Sequence, residues 1–340
     1  MNTKSLNVAL VYSGQPRLIQ KGLANQIEVF SNMDHTFDVY ADFWDTVPYT
    51  LNNVGYQDEY TSDDYDVWGS YWIGKRLCDQ TISNDKYKYN AHINHNAIRN
   101  LFLKNAKSFN IIDINISLTH EILDTFVKFQ KESIEYNKIE SDRIYANHGY
   151  LLHEYSKFIA QFSQQLSFAK AVSLIKNIDK YDLIYRIRSD GLFFNTNISY
   201  DFIFYVYDLI NKQKNYYQKN HSSIIESIVT MPNIEIINGQ CAYFDIWSIF
   251  DTSAVIKFKD TIMSMTDRFF DNKHDCDSWY YIMDNKFPQP LAHKMWDYYF
   301  KKAEITGIGA RYVNNQVDLD YNKWPAMFLL RPDGQKLTGA

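Results

Sequence analysis

An apolar run that ends in charge is the feature that most limits how this chain can fold. Residues 181–191 read Tyr-Asp-Leu-Ile-Tyr-Arg-Ile-Arg-Ser-Asp-Gly. Leu183, Ile184, Tyr185 and Ile187 have the β-branched and aromatic bulk of a buried strand, and Gly191 lets the chain turn sharply. Arg186 and Arg188 lie two apart, so a strand carries them on one face, and Asp190 follows at its end. In an α/β sheet, ligands bind just beyond the carboxyl ends of the strands. A guanidinium fork suits a diphosphate, and a carboxylate beside it suits a divalent metal. The plainer reading, a structural Arg–Asp ion pair at a sheet edge, is the commoner fate of such a segment taken alone.

The start of the chain has the same character. Residues 6–12 (Leu-Asn-Val-Ala-Leu-Val-Tyr) are a strand-length apolar run, followed at once by Ser13-Gly-Gln-Pro-Arg17. Gly14 permits close backbone approach and Pro16 ends the strand, which delivers Arg17 to its carboxyl end. Helical spacing over residues 18–32 and a second strand over 37–44 complete a βαβ opening. That turn lacks the G-x-G-x-x-G of a dinucleotide-binding dehydrogenase.

With 340 residues the chain has material for one large α/β domain, or a domain with a lobe. Its net charge of −5 and lack of a basic run argue against a broad duplex-binding footprint, which needs many phosphate contacts. Three cysteines (Cys78, Cys241, Cys276) with no C-x-x-C pair predict no disulfide framework and a reducing, cytoplasmic home. No apolar run approaches a membrane span, and residues 8–12 are too short for a signal sequence. Aromatic residues reach 16%, which fits either flat ligands such as nucleobases and sugar rings or the composition of an AT-rich genome.

Further along, Asp58, Glu59, Asp63, Asp64 and Asp66 lack the spacing of a calcium loop and read as a solvated acidic loop. His92 and His95 are three apart but have no third ligand nearby, so they read as surface histidines. Helix is expected over 97–108, strand over 109–116, and an amphipathic helix over 119–140. The longest helical pattern covers 150–178 and carries Gln161, Ser163, Gln164, Gln165, Ser167 and Lys170. Facing a ligand and facing solvent explain those polar residues equally well. Beyond Gly191 the pattern predicts helix over 200–212, a basic-aromatic mobile loop over 213–223, and strand–turn–strand over 234–245. Residues 247–272 read as mainly helical, with a short helix over 278–283 capped by Asp277. A final amphipathic helix over 291–302, a closing strand over 305–313 and a mostly loop tail, with Trp324 and Phe328 packed down, complete the expectation.

Taken together, Ser13-Gly-Gln-Pro-Arg17, Phe37-Asp-Val-Tyr40 with Trp44, and Tyr181-Asp-Leu-Ile-Tyr-Arg-Ile-Arg-Ser-Asp190 form an ordered series. That series resembles a group of glycosyltransferases of the GT-A fold found in bacteria, phages and large DNA viruses. The resemblance covers roughly residues 6–250. It implies a single GT-A-like α/β domain, a Rossmann-type mainly parallel sheet flanked by helices. Residues 6–250 would be its nucleotide-sugar-binding core, and the helices and closing segment of 251–340 its acceptor side.

The implied donor is a nucleotide-diphosphate sugar bound by Ser13, Gly14, Gln15, Arg17, Arg186, Arg188 and Asp190. Asp190 would coordinate Mn²⁺ or Mg²⁺ on the diphosphate, helping the nucleoside diphosphate depart. The chain departs from the D-x-D pattern of that fold, since Arg188 stands where the first carboxylate belongs. Asn238 and Pro288-Gln289 stand where relatives carry acidic residues, which leaves Asp245, Asp275 and Asp277 as candidates for the base. Each also fits a surface or capping role. The implied acceptor is a glycan or other hydroxyl compound. Two other readings stay open: a phage-type enzyme acting on a hydroxylated DNA base, and a non-catalytic nucleotide-sugar-binding module. The first would use Lys75-Arg76 and the 213–223 segment on phosphates.

Overall fold

The computed structural model describes residues 4–14, 16, 19–44, 95–104, 109–117, 163–193, 201–220, 227–231, 235–237, 240–242, 247–268, 296, 299–309, 327–330 and 336–338. Strand β1 (Asn7–Gly14), helix α1 (Ile19–Phe30) and strand β2 (Thr36–Trp44) form the expected opening unit, with β1 and β2 parallel. Helix α2 (His95–Lys104) precedes β3 (Asn110–Ser117), which adds in parallel to β2. Helix α3, described over 163–173, leads through a short 3-10 turn (Ile178–Lys180) into β4 (Leu183–Ile187) and then β5 (Gly191–Phe193).

After β5 come α4 (Phe202–Asn220), β6 (Ile228–Met231) and the hairpin β7 (Glu235–Ile237) and β8 (Gln240–Ala242). Strand β9 (Trp247–Phe250) and α5 (Thr252–Arg268) follow. Helix α6 holds Trp296 and residues 299–302, and β10 (Thr306–Gly309), β11 (Met327–Leu330) and β12 (Lys336–Thr338) end the chain.

Seven strands make one mostly parallel sheet in the order β10-β6-β9-β4-β1-β2-β3, with β9 antiparallel to both neighbours. Side chains alternate between two cores, as strands buried on both faces require. Val8, Leu10 and Tyr12 join α1, α2 and α4 on one face. Ala9 and Val11 join α3, α5 and α6 on the other. The result is an α/β fold with helices on both sides of the sheet.

Several expectations over the second half are corrected. The 213–223 segment is no loop up to Asn220, because α4 runs on through it and Lys214 pairs with Asp251 (2.9 Å). Residues 247–250, expected to be helical, are strand β9 in the middle of the sheet. A four-residue apolar run cannot be assigned by period, and here the open hydrogen-bonding edges of β4 and β6 decide it. The tail contributes β11 and β12, which with β5 form a second, antiparallel sheet. Strand β11 finds its place beside β5, more than a hundred residues earlier, and that pairing leaves no local signature.

The sheet also sets where a ligand belongs. From β1 the chain steps outward to β2 and β3, then returns to place β4 on the other side of β1. The strand order thus reverses between β1 and β4, and the crevice beyond their carboxyl ends is where such sheets bind ligands.

Candidate functional site at the carboxyl ends of the central strands

The parallel register Tyr12↔Ile187 puts Ser13 and Gly14 level with the residues that leave β4, Arg188 and Ser189. Two of the three motifs singled out in the sequence therefore meet at the point of strand reversal. Gly14 adopts φ 94°, a backbone that favours glycine, and its N–H donates to Ser167 Oγ at 2.8 Å. A Cβ there would lie 3.5 Å from Gln164 Cγ, so α3 passes close over the strand end.

Ser167 in turn donates to the carbonyl of Asp42. Asp42 stands opposite Ser13 in the register and is completely buried. Its Oδ2 accepts from Asn115 Nδ2 and from Ser117 Oγ (2.8 Å), and Lys170 Nζ donates to Ser117 Oγ at 3.2 Å. Burial raises the Asp42 carboxyl above its ordinary value, only partly offset by Asn115, Ser117 and the nearby Lys170 charge. Among the described residues, its other oxygen, Oδ1, and the buried hydroxyl of Ser13 have no hydrogen-bond partner. They are two of nine buried side-chain polar atoms left unserved among the described residues, and they stand side by side on adjacent strands, where a buried water or a ligand group would complete the pairing.

At the end of β4, Asp190 is nearly buried and accepts both arms of the Arg188 fork, Nε to Oδ1 at 2.9 Å and Nη2 to Oδ2 at 2.8 Å. The turn beneath them is gripped by α1. Gln26 Nε2 donates to the carbonyls of Arg188 (2.9 Å) and Gly191 (2.6 Å), and Asn25 exchanges two hydrogen bonds with the Phe193 backbone. A Cβ on Gly22 would stand 1.8 Å from the Ser189 carbonyl oxygen, so only glycine fits.

Arg186 does not join this edge. It is wholly buried, its guanidinium carbon 5.9 Å from the Phe168 ring centre and 5.0 Å from that of Trp296, and it pairs in register with Ser248. Arg186 lies within β4 under Phe168 of α3 and Trp296 of α6, whereas Arg188 follows the end of the strand. Gln15, Arg17, Asp245, Asp275 and Asp277 lie outside the described residues, as do His92, the acidic cluster of 58–66 and Lys75-Arg76.

Asp42, Gln26 and Gly22 were not singled out from the sequence, whereas Ser167 stood among the polar residues of the long helix that fit a ligand-facing or a solvated face equally well. For Asp42 a signal existed: Asp38 and Asp42 are same-face carboxylates in an otherwise apolar strand. Of the polar residues of α3, Gln165 and Ser167 are fully buried and so face no solvent, while Ser163, Gln164 and Lys170 are half-buried.

A second polar cluster sits at the opposite, amino end of the sheet. Asp38 Oδ2 accepts from Tyr181 OH (2.6 Å) and Lys180 Nζ (2.7 Å), and its Oδ1 accepts from Asn110 (2.9 Å). Tyr40 and Tyr181 share a hydroxyl contact of 2.8 Å. Burial pushes the Asp38 carboxyl up, yet these hydrogen bonds together hold it below its ordinary value. Asp182 accepts from the Asn7 amide (2.9 Å) and from Lys4 (2.8 Å). The Phe37-Asp-Val-Tyr40 and Tyr181-Asp182 motifs thus bond to each other and form a strand lock.

Among the described residues no three His, Cys, Asp or Glu side chains come together to hold a metal ion. Asp190 alone, already seated on the Arg188 guanidinium, does not fit Mn²⁺ or Mg²⁺. No described helix is long and apolar enough to cross a membrane. No family model matches the chain, and no curated protein matches it either.

Proposed function

We propose that this protein is a glycosyltransferase of the GT-A type that takes a nucleotide-diphosphate sugar as donor and a glycan or other hydroxyl compound as acceptor. One observation carries the reading. At the strand reversal between β1 and β4, the unpartnered Ser13 hydroxyl and Asp42 oxygen come level with a guanidinium–carboxylate pair on a clamped turn. The first two suit the polar edge of a nucleoside, and Arg188 suits a diphosphate.

In this reading the bond between the sugar's anomeric carbon and the β-phosphate oxygen breaks, and the electron pair leaves with the nucleoside diphosphate. Arg188 meets the charge that develops there, and Asp190 holds the guanidinium plane in place. The acceptor hydroxyl attacks the anomeric carbon and loses its proton to a base. The described residues supply no carboxylate positioned for that step.

Thermal-shift screening of UDP-, GDP-, CMP- and dTDP-sugars, with and without Mn²⁺, tests the donor, because a ligand that prefers the folded state raises its melting temperature. Asp190→Ala is expected to abolish sugar transfer and donor hydrolysis while the protein stays folded. Full activity in that variant sinks the reading. Binding without turnover across a broad acceptor panel points instead to a sugar-nucleotide-binding module. Activity that falls steeply with salt and requires duplex DNA points to a DNA acceptor.

A further inference from the structure

Helix α1 touches the β4 turn through backbone, not through the reacting side chains. Gln26 is fully buried, and its single amide nitrogen donates to two carbonyl oxygens, those of Arg188 and Gly191, which bracket Ser189 and Asp190. One residue type does this well, since a primary amide presents two N–H groups from one nitrogen. Gly22, one helical turn earlier, lets the helix approach until its α-carbon abuts the Ser189 carbonyl. On its far side the same turn runs into β5, fixed by Asn25 and paired with β11. The turn's own closing bond, Gly191 N–H to the Arg188 carbonyl at 3.1 Å, uses the same carbonyl that Gln26 holds.

We propose that Gln26 is a positioning residue. By tying the carbonyls on either side of Ser189-Asp190 it fixes the turn at the spacing that lets Asp190 hold Arg188 in a bidentate fork, and so presets the guanidinium for the donor's diphosphate. The inference rests on the donor reading above for its ligand, but not for its geometry. Gln26 touches no ligand itself. Its effect passes through the backbone of residues 188–191, and a misplacement of about an ångström there is enough to cost a well-oriented contact.

The test replaces Gln26 by Met, which keeps length and bulk and removes both donors. UDP and GDP serve as probes, titrated by calorimetry at a temperature where the variant is folded. Affinity for whichever nucleotide binds the wild type should fall about tenfold, the loss expected when buried hydrogen bonds that preset a charged group are removed. Asp38→Ala, which destabilises the other end of the sheet, should leave affinity within about twofold. Equal affinity in Gln26→Met and wild type, or an equal loss in Asp38→Ala, overturns the proposal.

Should Gln26→Met fail to fold, Gln26→Glu replaces it. Its carboxylate repels both carbonyls near pH 8, whereas near pH 5 the protonated form donates to one of them, and affinity relative to wild type should recover in part. No recovery counts against the proposal.

If the wild type binds neither nucleotide, the donor reading fails on its own. A double-mutant cycle of Gln26→Met with Arg188→Met in urea unfolding then decides this one. Coupling by a factor of roughly three or more in the unfolding constant supports it, and additivity overturns it.

Discussion

The two ends of the central sheet use similar residues to opposite purposes. At the amino end Asp38, Tyr40, Tyr181, Lys180 and Asn110 form a closed network in which both carboxylate oxygens have partners. At the carboxyl end Asp42, four residues further along the same strand, keeps one oxygen unserved, and Ser13 beside it keeps its hydroxyl unserved. A satisfied network stabilises, whereas an unsatisfied one costs stability and is retained for what it meets. One strand therefore carries a lock and a candidate site, and the difference between them is a matter of which lone pairs are filled.

The comparison breaks most readily at α1. Gly22→Ala, which forces a Cβ into the Ser189 carbonyl, should destabilise by roughly 3 kcal/mol or more, because a backbone contact cannot move aside as a side chain does. Urea unfolding measures it, and a loss below about 1 kcal/mol means that the helix and turn are looser than their geometry implies.

Next in size is the lock itself. Asp38→Ala strands Tyr181, Lys180 and Asn110 and should cost roughly 2–4 kcal/mol, with nucleotide affinity retained. Affinity falling in step with stability would show that the two ends are not independent.

The two aspartates should also titrate with opposite signs. Asp38, held below its ordinary value, contributes stability that is present above the unfolded-state pKa and is lost as pH falls through the folded one. Asp42, raised by burial, does the reverse: its unfolded form ionises first, so stability declines as pH rises from the unfolded value to the raised folded value. In an unfolding series from pH 3 to 7, Asp38→Asn should flatten the acid-side loss, and Asp42→Asn should remove a decline on the rising side. Equal slopes in both variants contradict the assignment of one filled and one unfilled carboxylate.

Smallest is Tyr40→Phe, which removes one hydroxyl contact from Tyr181 and should cost about 1 kcal/mol by the same measurement. No change would mean that the Tyr181 hydroxyl rests on Asp38 alone.

What the residues determined by themselves is local. Mainly apolar runs at 8–12 and 183–187, with Gly14 and Gly191 after them, specify buried strands that end in turns. The periods of α1 and of the first half of α4 specify helices with one apolar face. The spacing of Arg188 and Asp190 brought them together in the structure as it did in the sequence. Everything that depends on partners distant in the chain was decided only on folding. Residues 247–250 became a central strand because β4 and β6 offered it hydrogen bonds, and the tail became sheet because β5 did. Arg186 and Arg188, alike in sequence, parted because the first lies within β4 against Phe168 and Trp296, while the second follows the strand end and meets Asp190. Asp38 and Asp42, alike again, parted because Tyr181 and Lys180 reach the first and leave the second with one oxygen unserved. Residue type sets what a side chain offers, and only packing sets whether that offer is taken up inside the molecule or left for a ligand.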